Sequence, residues 1–269
     1  MELNRNKIYF ASDFHLGNSS AKFNRLREKK IVRWLNHISK DAEEIYLLGD
    51  IFDFWFEYFW PDKSKKEYAL LLNTLKKITQ SGISVHFFIG NHDLWTFGWL
   101  ERKTGIQVHR QPQVMQLYNK QVYLAHGDGL IPKTLLHTLP NEIKKKIKHF
   151  IWLRKVFHHP IPQLFFRLLP PSLGNHFGYE WAKRSRLKEI AHPCDYKGEG
   201  NEELVLFAKE KEQEGQHHDY YIFGHRHIEL DLMLPSKSRV VLLGDCWRQW
   251  TYAQLDEQGN CLLNTFENE

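Results

Sequence analysis

The chain has 269 residues, enough for one large domain or a domain carrying an insertion. Its 42% hydrophobic and 26% charged residues exclude a disordered or fibrous chain, and a net charge of +5 is too small to identify a polyanion-binding protein by itself. No apolar run reaches the roughly 18–20 residues that cross a bilayer. The polar stretch Met1–Lys7 lacks the apolar core of a secretory signal. Cys194, Cys246 and Cys261 are scattered, with no CxxC pair, and are expected to be reduced thiols of a cytosolic protein.

Taken in chain order, Lys7–Ser12 reads as a strand leading into Asp13. Asn24–Ser39 has helical spacing, with Leu26, Ile31, Trp34, Leu35 and Ile38 on one stripe. Glu44–Leu48 is the next strand. Ser64–Gln80 is a helix with Tyr68, Leu71, Leu72, Leu75 and Ile78 on its apolar face, stopped by Gly82. Ile83–Ile89 is a third strand, and this βαβαβ rhythm predicts a sheet covered by helices. Later strands are Gln121–Ala125, Tyr220–Phe223 and Arg239–Leu243. Trp250–Phe266 reads as a hairpin turning at Gln258-Gly259-Asn260. Leu135–Ala191 breaks the rhythm: it is helical, basic and apolar, and Pro160, Pro162, Pro170 and Pro171 cut it into short helices. The expected fold class is α/β, two stacked mixed sheets with helices outside and a helical insertion over the site.

Five short motifs share one placement, at or just beyond the end of an apolar strand. They are Asp13-Phe14-His15, Gly49-Asp50-Ile51-Phe52-Asp53, Gly90-Asn91-His92-Asp93, His126-Gly127-Asp128 and Gly224-His225-Arg226-His227. That edge of a layered α/β fold is where functional groups gather. Asp13 and His15, two residues apart, can reach one metal if the loop bends. Asp50 can bridge two ions, Asn91 offers a carbonyl oxygen, and His126, His225 and His227 offer imidazole nitrogens. A mixed N/O set suits Mn, Fe, Zn or Co better than Ca. Two such ions about 3.5–4 Å apart can activate a water and neutralise a phosphoryl group. His92, next to Asn91, is expected to face the leaving group as a general acid. Asp93 could orient it or hold the loop, and Asp53 could orient a ligating histidine.

These motifs resemble those of the calcineurin-like metallophosphoesterases over about Lys7–Phe266. The resemblance implies that 1–269 is a single metallophosphoesterase domain with a lid at about 135–191. It implies a dinuclear site in which Asp13, His15, Asp50 and His227 hold one metal and Asp50, Asn91, His126 and His225 the other, with His92 catalytic. Within that superfamily, Phe54-Trp55 after the second motif, the Gly127-Asp128 after His126 and the helical insertion are similar to the UDP-2,3-diacylglucosamine pyrophosphatases of lipid A synthesis. Those enzymes give UMP and 2,3-diacylglucosamine 1-phosphate. They are typically manganese-dependent and peripheral on the cytoplasmic face of the inner membrane. The chain departs from their best-known members by carrying His92 where they have Arg, and Gly129–His137 does not match their substrate-contacting residues.

For such a substrate Trp152, Phe157, Phe165, Phe166, Leu168 and Leu169 could line an acyl groove. Lys183, Arg184, Arg186 and Lys188 could meet the diphosphate, and basic, aromatic helices suit an anionic membrane surface. Two alternatives stand beside this reading: a phosphoesterase for another phosphodiester or nucleotide, and a metal-free scaffold of the same fold. The chain has no helix-turn-helix, RNA-binding signature or basic tail, so no nucleic-acid partner is expected.

Overall fold

The computed structural model describes residues 5–17, 20–191 and 195–267, without the side chains of Thr138 and residues 185–191. The elements begin β1 (Lys7–Ala11), α1 (Ala21–Ile38), β2 (Ala42–Leu48), a 3-10 turn at Lys63–Tyr68, α2 (Ala69–Gln80), β3 (Ser84–Phe88), α3 (Trp99–Thr104), β4 (Gln107–His109), β5 (Gln113–Leu117) and β6 (Lys120–Ala125). A wholly helical stretch follows, α4 (Lys133–Thr138), α5 (Asn141–His158), α6 (Pro160–Arg167) and α7 (Pro171–Ala191). The chain returns through α8 (Glu203–Gln213), β7 (Tyr220–Phe223), β8 (Glu229–Met233), β9 (Arg239–Leu243), β10 (Thr251–Asp256) and β11 (Cys261–Thr265).

Alternation along the strands sets the layers. In β1, Ile8 and Phe10 point to one side and join Tyr46, Leu48 and Phe88 of the same sheet. They meet Val122, Leu124, Ile222, Val241 and Leu243 of the second sheet, and this is the inter-sheet core. Tyr9 and Ala11 point the other way and join the apolar faces of α1 and α2. The second sheet is covered on its far side by Leu204, Val205 and Ala208 of α8. The strand orders are β11-β10-β1-β2-β3-β4 and β5-β6-β7-β9-β8. Both sheets are mixed: β1, β2, β3 and β4 run parallel, as do β6, β7 and β9, while β10 pairs antiparallel with β1 and β11, β5 with β6, and β8 with β9.

The α1 stripe becomes buried only from Glu28 onward. Ile31, Trp34, Leu35 and Ile38 are buried, while Leu26 is 53% exposed, contrary to its expected place on the apolar face. Glu28 meets α2, its carboxylate accepting the Leu71 N–H at 2.9 Å, whereas the turn before it meets loops through Asn24 and Arg27, which bond Gly17 N–H and the His15 carbonyl. The expected helix at Ser64–Gln80 is a 3-10 turn followed by α2. In the helical stretch, Pro160 and Pro171 begin α6 and α7, the position where a missing N–H costs no helix bond. Cys246 and Cys261 are buried free thiols, and Cys194 lies outside the described residues.

Phe10 is fully buried and stacks on Tyr46 with ring centroids 5.3 Å apart. Phe10→Ala is expected to lower unfolding stability by about 3–5 kcal/mol in a urea titration, since the inter-sheet layer cannot collapse onto so large a void.

Candidate metal centre

Parallel pairing brings the five motifs together. β1, β2 and β3 are neighbours running the same way, so the first three motifs emerge side by side from one edge. β6 and β7 are parallel neighbours in the other sheet, so the fourth and fifth emerge together too. Backbone bonds then lace the loops. Asp13 N–H donates to the Gly49 carbonyl at 3.0 Å, His15 N–H to the Asp50 carbonyl at 3.0 Å and Gly224 N–H to the His126 carbonyl at 2.9 Å.

The loops turn sharply at the ligand candidates themselves. Asp13, His15, Asp50, His225 and His227 have φ of 56°, 45°, 54°, 67° and 51°. Left-handed backbone is uncommon away from glycine, although Asp and His tolerate it better than most residues, and where it persists the surrounding structure must hold it. Glycine is required where these loops touch. A Cβ on Gly224 would lie 2.6 Å from Asp13 Oδ2, and one on Gly49 would lie 2.6 Å from His126 Nδ1.

Three groups of side chains offer ligand atoms within 4.8 Å of one another: Asp13, His15 and His227; His15, Asp50 and His92; and Asp50, His126 and His225. His227 Nε2 is 3.0 Å from Asp13 Oδ1 and 3.2 Å from His15 Nε2. Asp50 Oδ2 lies 3.8 Å from His15 Nε2 and 3.3 Å from His126 Nε2, so Asp50 stands between the two sides of the cluster. The Asn91 Oδ1 and His126 Nε2 atoms are buried without a hydrogen-bond partner. Orphaned acceptors among buried carboxylates and imidazoles are what a divalent cation satisfies, so this donor set fits one.

Tautomers follow from the partners. His126 Nδ1 lies 2.7 Å from the Leu48 carbonyl, which can only accept, so Nδ1 carries a hydrogen and Nε2 is the atom that faces Asp50. His92 Nδ1 is likewise 2.7 Å from the Asp53 carbonyl, leaving Nε2 as the atom that can gain or release a proton. The Asp53 carboxylate sits 3.3 Å from His15 Nδ1 and orients that ring. Asp93 holds loop backbone: it accepts from Gly90 N–H at 2.8 Å, Asp50 N–H at 3.2 Å, Ile51 N–H at 2.7 Å and Phe52 N–H at 3.3 Å.

Charges inside the cluster follow distance. Burial alone would raise the Asp13 carboxyl, but His227 and His15 outweigh it and hold Asp13 well below the usual range. Burial disfavours a charged His126, yet Asp50 overrides it and holds that imidazole well above its ordinary value. His225 is pushed down to about 4 by burial and by the neighbouring His126. Burial and the Asp50 carboxylate push Asp93 up to about 7, against the backbone N–H groups it accepts.

Three cavities border the cluster, the largest of them, about 560 Å³, reaching His225 and Arg226 between α5 and α8. One is apolar, about 290 Å³, between the core and the helical stretch, lined by Phe54, Phe56, Trp95, Phe157, Phe166 and Trp181 among others. The Trp181 ring lies 5.2 Å from that of His92. Of the residues expected to line an acyl groove, Phe157 and Phe166 are in the wall of this cavity. Trp152, Phe165 and Leu168 are exposed on the outer face, and Leu169 is half-buried away from this cavity. The Phe54-Trp55 pair divides: Phe54 is in the cavity wall, and Trp55 is buried in the core, stacked on Phe52 at 4.3 Å. The second cavity, about 400 Å³, has His126, Asp128, Arg110, Arg154 and Lys155 in its wall. Lys183 and Arg184 are exposed on α7 and line neither, and the side chains of Arg186 and Lys188 lie outside the described residues. Trp181, Arg110 and Arg154 escape a motif-based reading, although Ile151, Arg154, Lys155 and His158 recur at helical spacing and mark one face of α5.

A model described as calcineurin-like phosphoesterase matches residues 6–229. The chain is 33% identical over 262 residues to UDP-2,3-diacylglucosamine hydrolase of Porphyromonas gingivalis, covering 94% of this chain and 95% of that one. It is 26% identical over 254 residues to the protein of the same name from Haemophilus influenzae, covering 93% and 95%. Among solved structures it is similar to TT1561 of Thermus thermophilus, with a TM-score of 0.43, 13% identity and 97% and 98% coverage.

Asp93→Asn turns one accepting oxygen into a donor facing backbone N–H groups. It is expected to cost about 1–3 kcal/mol in chemical denaturation and to lower the metal content of the folded protein.

Proposed function

The chain belongs to the calcineurin-like phosphoesterase family and hydrolyses a phosphoric ester or anhydride; from that premise we propose that it cleaves the diphosphate of UDP-2,3-diacylglucosamine to UMP and 2,3-diacylglucosamine 1-phosphate. The observation that carries this reading is the apolar cavity beside His92. A nucleotide phosphodiesterase has no use for an apolar pocket walled by Phe54, Phe56, Phe157, Phe166 and Trp181 next to its proton donor, whereas a diacylated leaving group does. The name shared by the Porphyromonas and Haemophilus relatives supports the same substrate.

In this reading two divalent ions, Mn²⁺ being our choice, would be held by Asp13, His15, Asp50 and His227 on one side and by Asp50, Asn91, His126 and His225 on the other. Bound ions supply an acidified water and charge neutralisation at the phosphoryl oxygens. The protein supplies the rest. Asp53 and the Leu48 carbonyl fix the rings of His15 and His126, so their Nε2 lone pairs face the cluster without reorganising. Water adds to the α-phosphorus, the bond to the bridging oxygen breaks, and the lipid 1-phosphate departs towards the apolar cavity. His92, anchored at Nδ1 by the Asp53 carbonyl, delivers its Nε2 proton to the departing oxygen. We assign the helical stretch at about 135–191 as a lid whose inner face lines the acyl site. It also exposes Trp152, Ile161, Leu164 and Phe165, with Lys145 and Lys148, which suits peripheral contact with an anionic membrane from the cytoplasmic side. No helix among the described residues is long and apolar enough to cross a membrane.

Purified protein supplied with Mn²⁺ is expected to release UMP from UDP-2,3-diacylglucosamine, and a chelator is expected to abolish release; well-folded, metal-loaded protein that gives no UMP would overturn the substrate. His92→Ala is expected to lower kcat by about 10²–10⁴ while metal content, read by atomic absorption, stays near wild type. Loss of bound metal in that variant would instead make His92 a ligand.

A further inference from the structure

The 400 Å³ cavity is more polar than the apolar one and carries the cations Arg110, Arg154 and Lys155, and the two share no lining residue. The helix α5 separates them. Ile151, Arg154, Lys155 and His158, spaced as one helical stripe, face the second cavity, while Val156 and Phe157 face the apolar one. Arg110, from the segment after β4, adds a third cation, against Asp128 as the sole carboxylate in that wall. That carboxylate is committed: it is buried and accepts Arg154 Nε at 2.8 Å. Arg110 is tied to Glu101 at 2.9 Å and to the Thr96 carbonyl at 3.1 Å, which fixes its direction. Arg154 is fixed as well, because its guanidinium lies across Gly129, where a Cβ would come within 2.9 Å of Nη1. The His126 that contributes to the cluster is part of the same wall, so the cavity adjoins the candidate metal centre.

Resting on the substrate reading above, we propose that this basic cavity binds the nucleoside monophosphate half of the substrate, with Arg154 and Lys155 of the lid as its specificity-determining cations. A volume of about 400 Å³ falls in the range of small-molecule sites. Two preorganised guanidinium groups and an ammonium suit a phosphate and the polar edge of a pyrimidine better than an acyl chain. The two halves of the substrate then lie on opposite faces of α5, with the scissile phosphorus at the cluster between them. The lid thereby reads both ends of the molecule with one helix.

The test is calorimetric titration of UMP into the Mn²⁺-loaded full-length protein, alongside inhibition by 2,3-diacylglucosamine 1-phosphate. Arg154→Met is expected to weaken UMP about tenfold or more, and Lys155→Met, at an exposed position, several-fold. Both variants should keep the affinity for the lipid product within about twofold and raise KM more than they lower kcat. Unchanged UMP affinity in both variants overturns the assignment, even if turnover of the UDP-lipid is intact. Equal loss of UMP and lipid-product affinity also overturns it, because the effect would then be on lid position. UMP binding that depends on Arg154 and Lys155, in a protein that does not turn over the UDP-lipid, upholds the cavity and removes the substrate instead.

Discussion

The Asp93 carboxylate is the constraint on which the candidate site depends. Its two oxygens gather four backbone N–H groups from two loops, those of Gly90, Asp50, Ile51 and Phe52. Those loops leave adjacent parallel strands. By accepting from both, Asp93 fixes their separation and supports the left-handed turn at Asp50. Asp50 Oδ1 in turn accepts the His92 N–H at 2.9 Å, which leaves Oδ2 facing His15 and His126. A shift in this one buried group would therefore move the central carboxylate, His92 and Asn91 together.

The same economy extends to the histidines. Main-chain carbonyls of Leu48 and Asp53 orient His126 and His92, and those carbonyls belong to the end of β2 and the loop just after it. The backbone that delivers Asp50 thus also sets the tautomers of two rings around it. Buried carboxylates and imidazoles at 3.0–3.8 Å are costly in each other's absence. They make a stable cluster only as a set, and the buried Asn91 Oδ1 has no hydrogen-bond donor beside it.

Packing of the helical stretch onto this core relies on small residues against rings. Gly174 and Gly178, one turn apart on α7, lie against Tyr58 and Phe54, where no Cβ would fit. Tyr179 closes on Tyr68 at 3.3 Å between hydroxyls and on Phe54 at 5.9 Å between rings. That close approach brings Trp181 to His92 and leaves the apolar cavity between the layers. α5 crosses at the other side through the Arg154–Asp128 bond, which ties the stretch to the turn after β6.

Much of this was legible in residue order. Strands with dense β-branched and aromatic runs, such as Tyr220–Phe223 and Arg239–Leu243, declare themselves, and so do the motifs at their ends. β8, reading Glu-Leu-Asp-Leu-Met on a half-exposed edge, and β4, three residues long, do not, because their pairing is tertiary. The short helix α3 and the weakly amphipathic α8 escape for the same reason. The sequence by itself determined the ligand chemistry, its placement beyond strand ends and the alternation that makes two sheets, since each depends on residue type and a period of two. Only the tertiary structure decided which carboxylate bridges loops rather than orienting His92, which aromatic residues turn inward, and that α5 has a basic face and an apolar face on two different cavities. Those facts depend on groups far apart in the chain that meet through packing, and local spacing carries no record of such meetings.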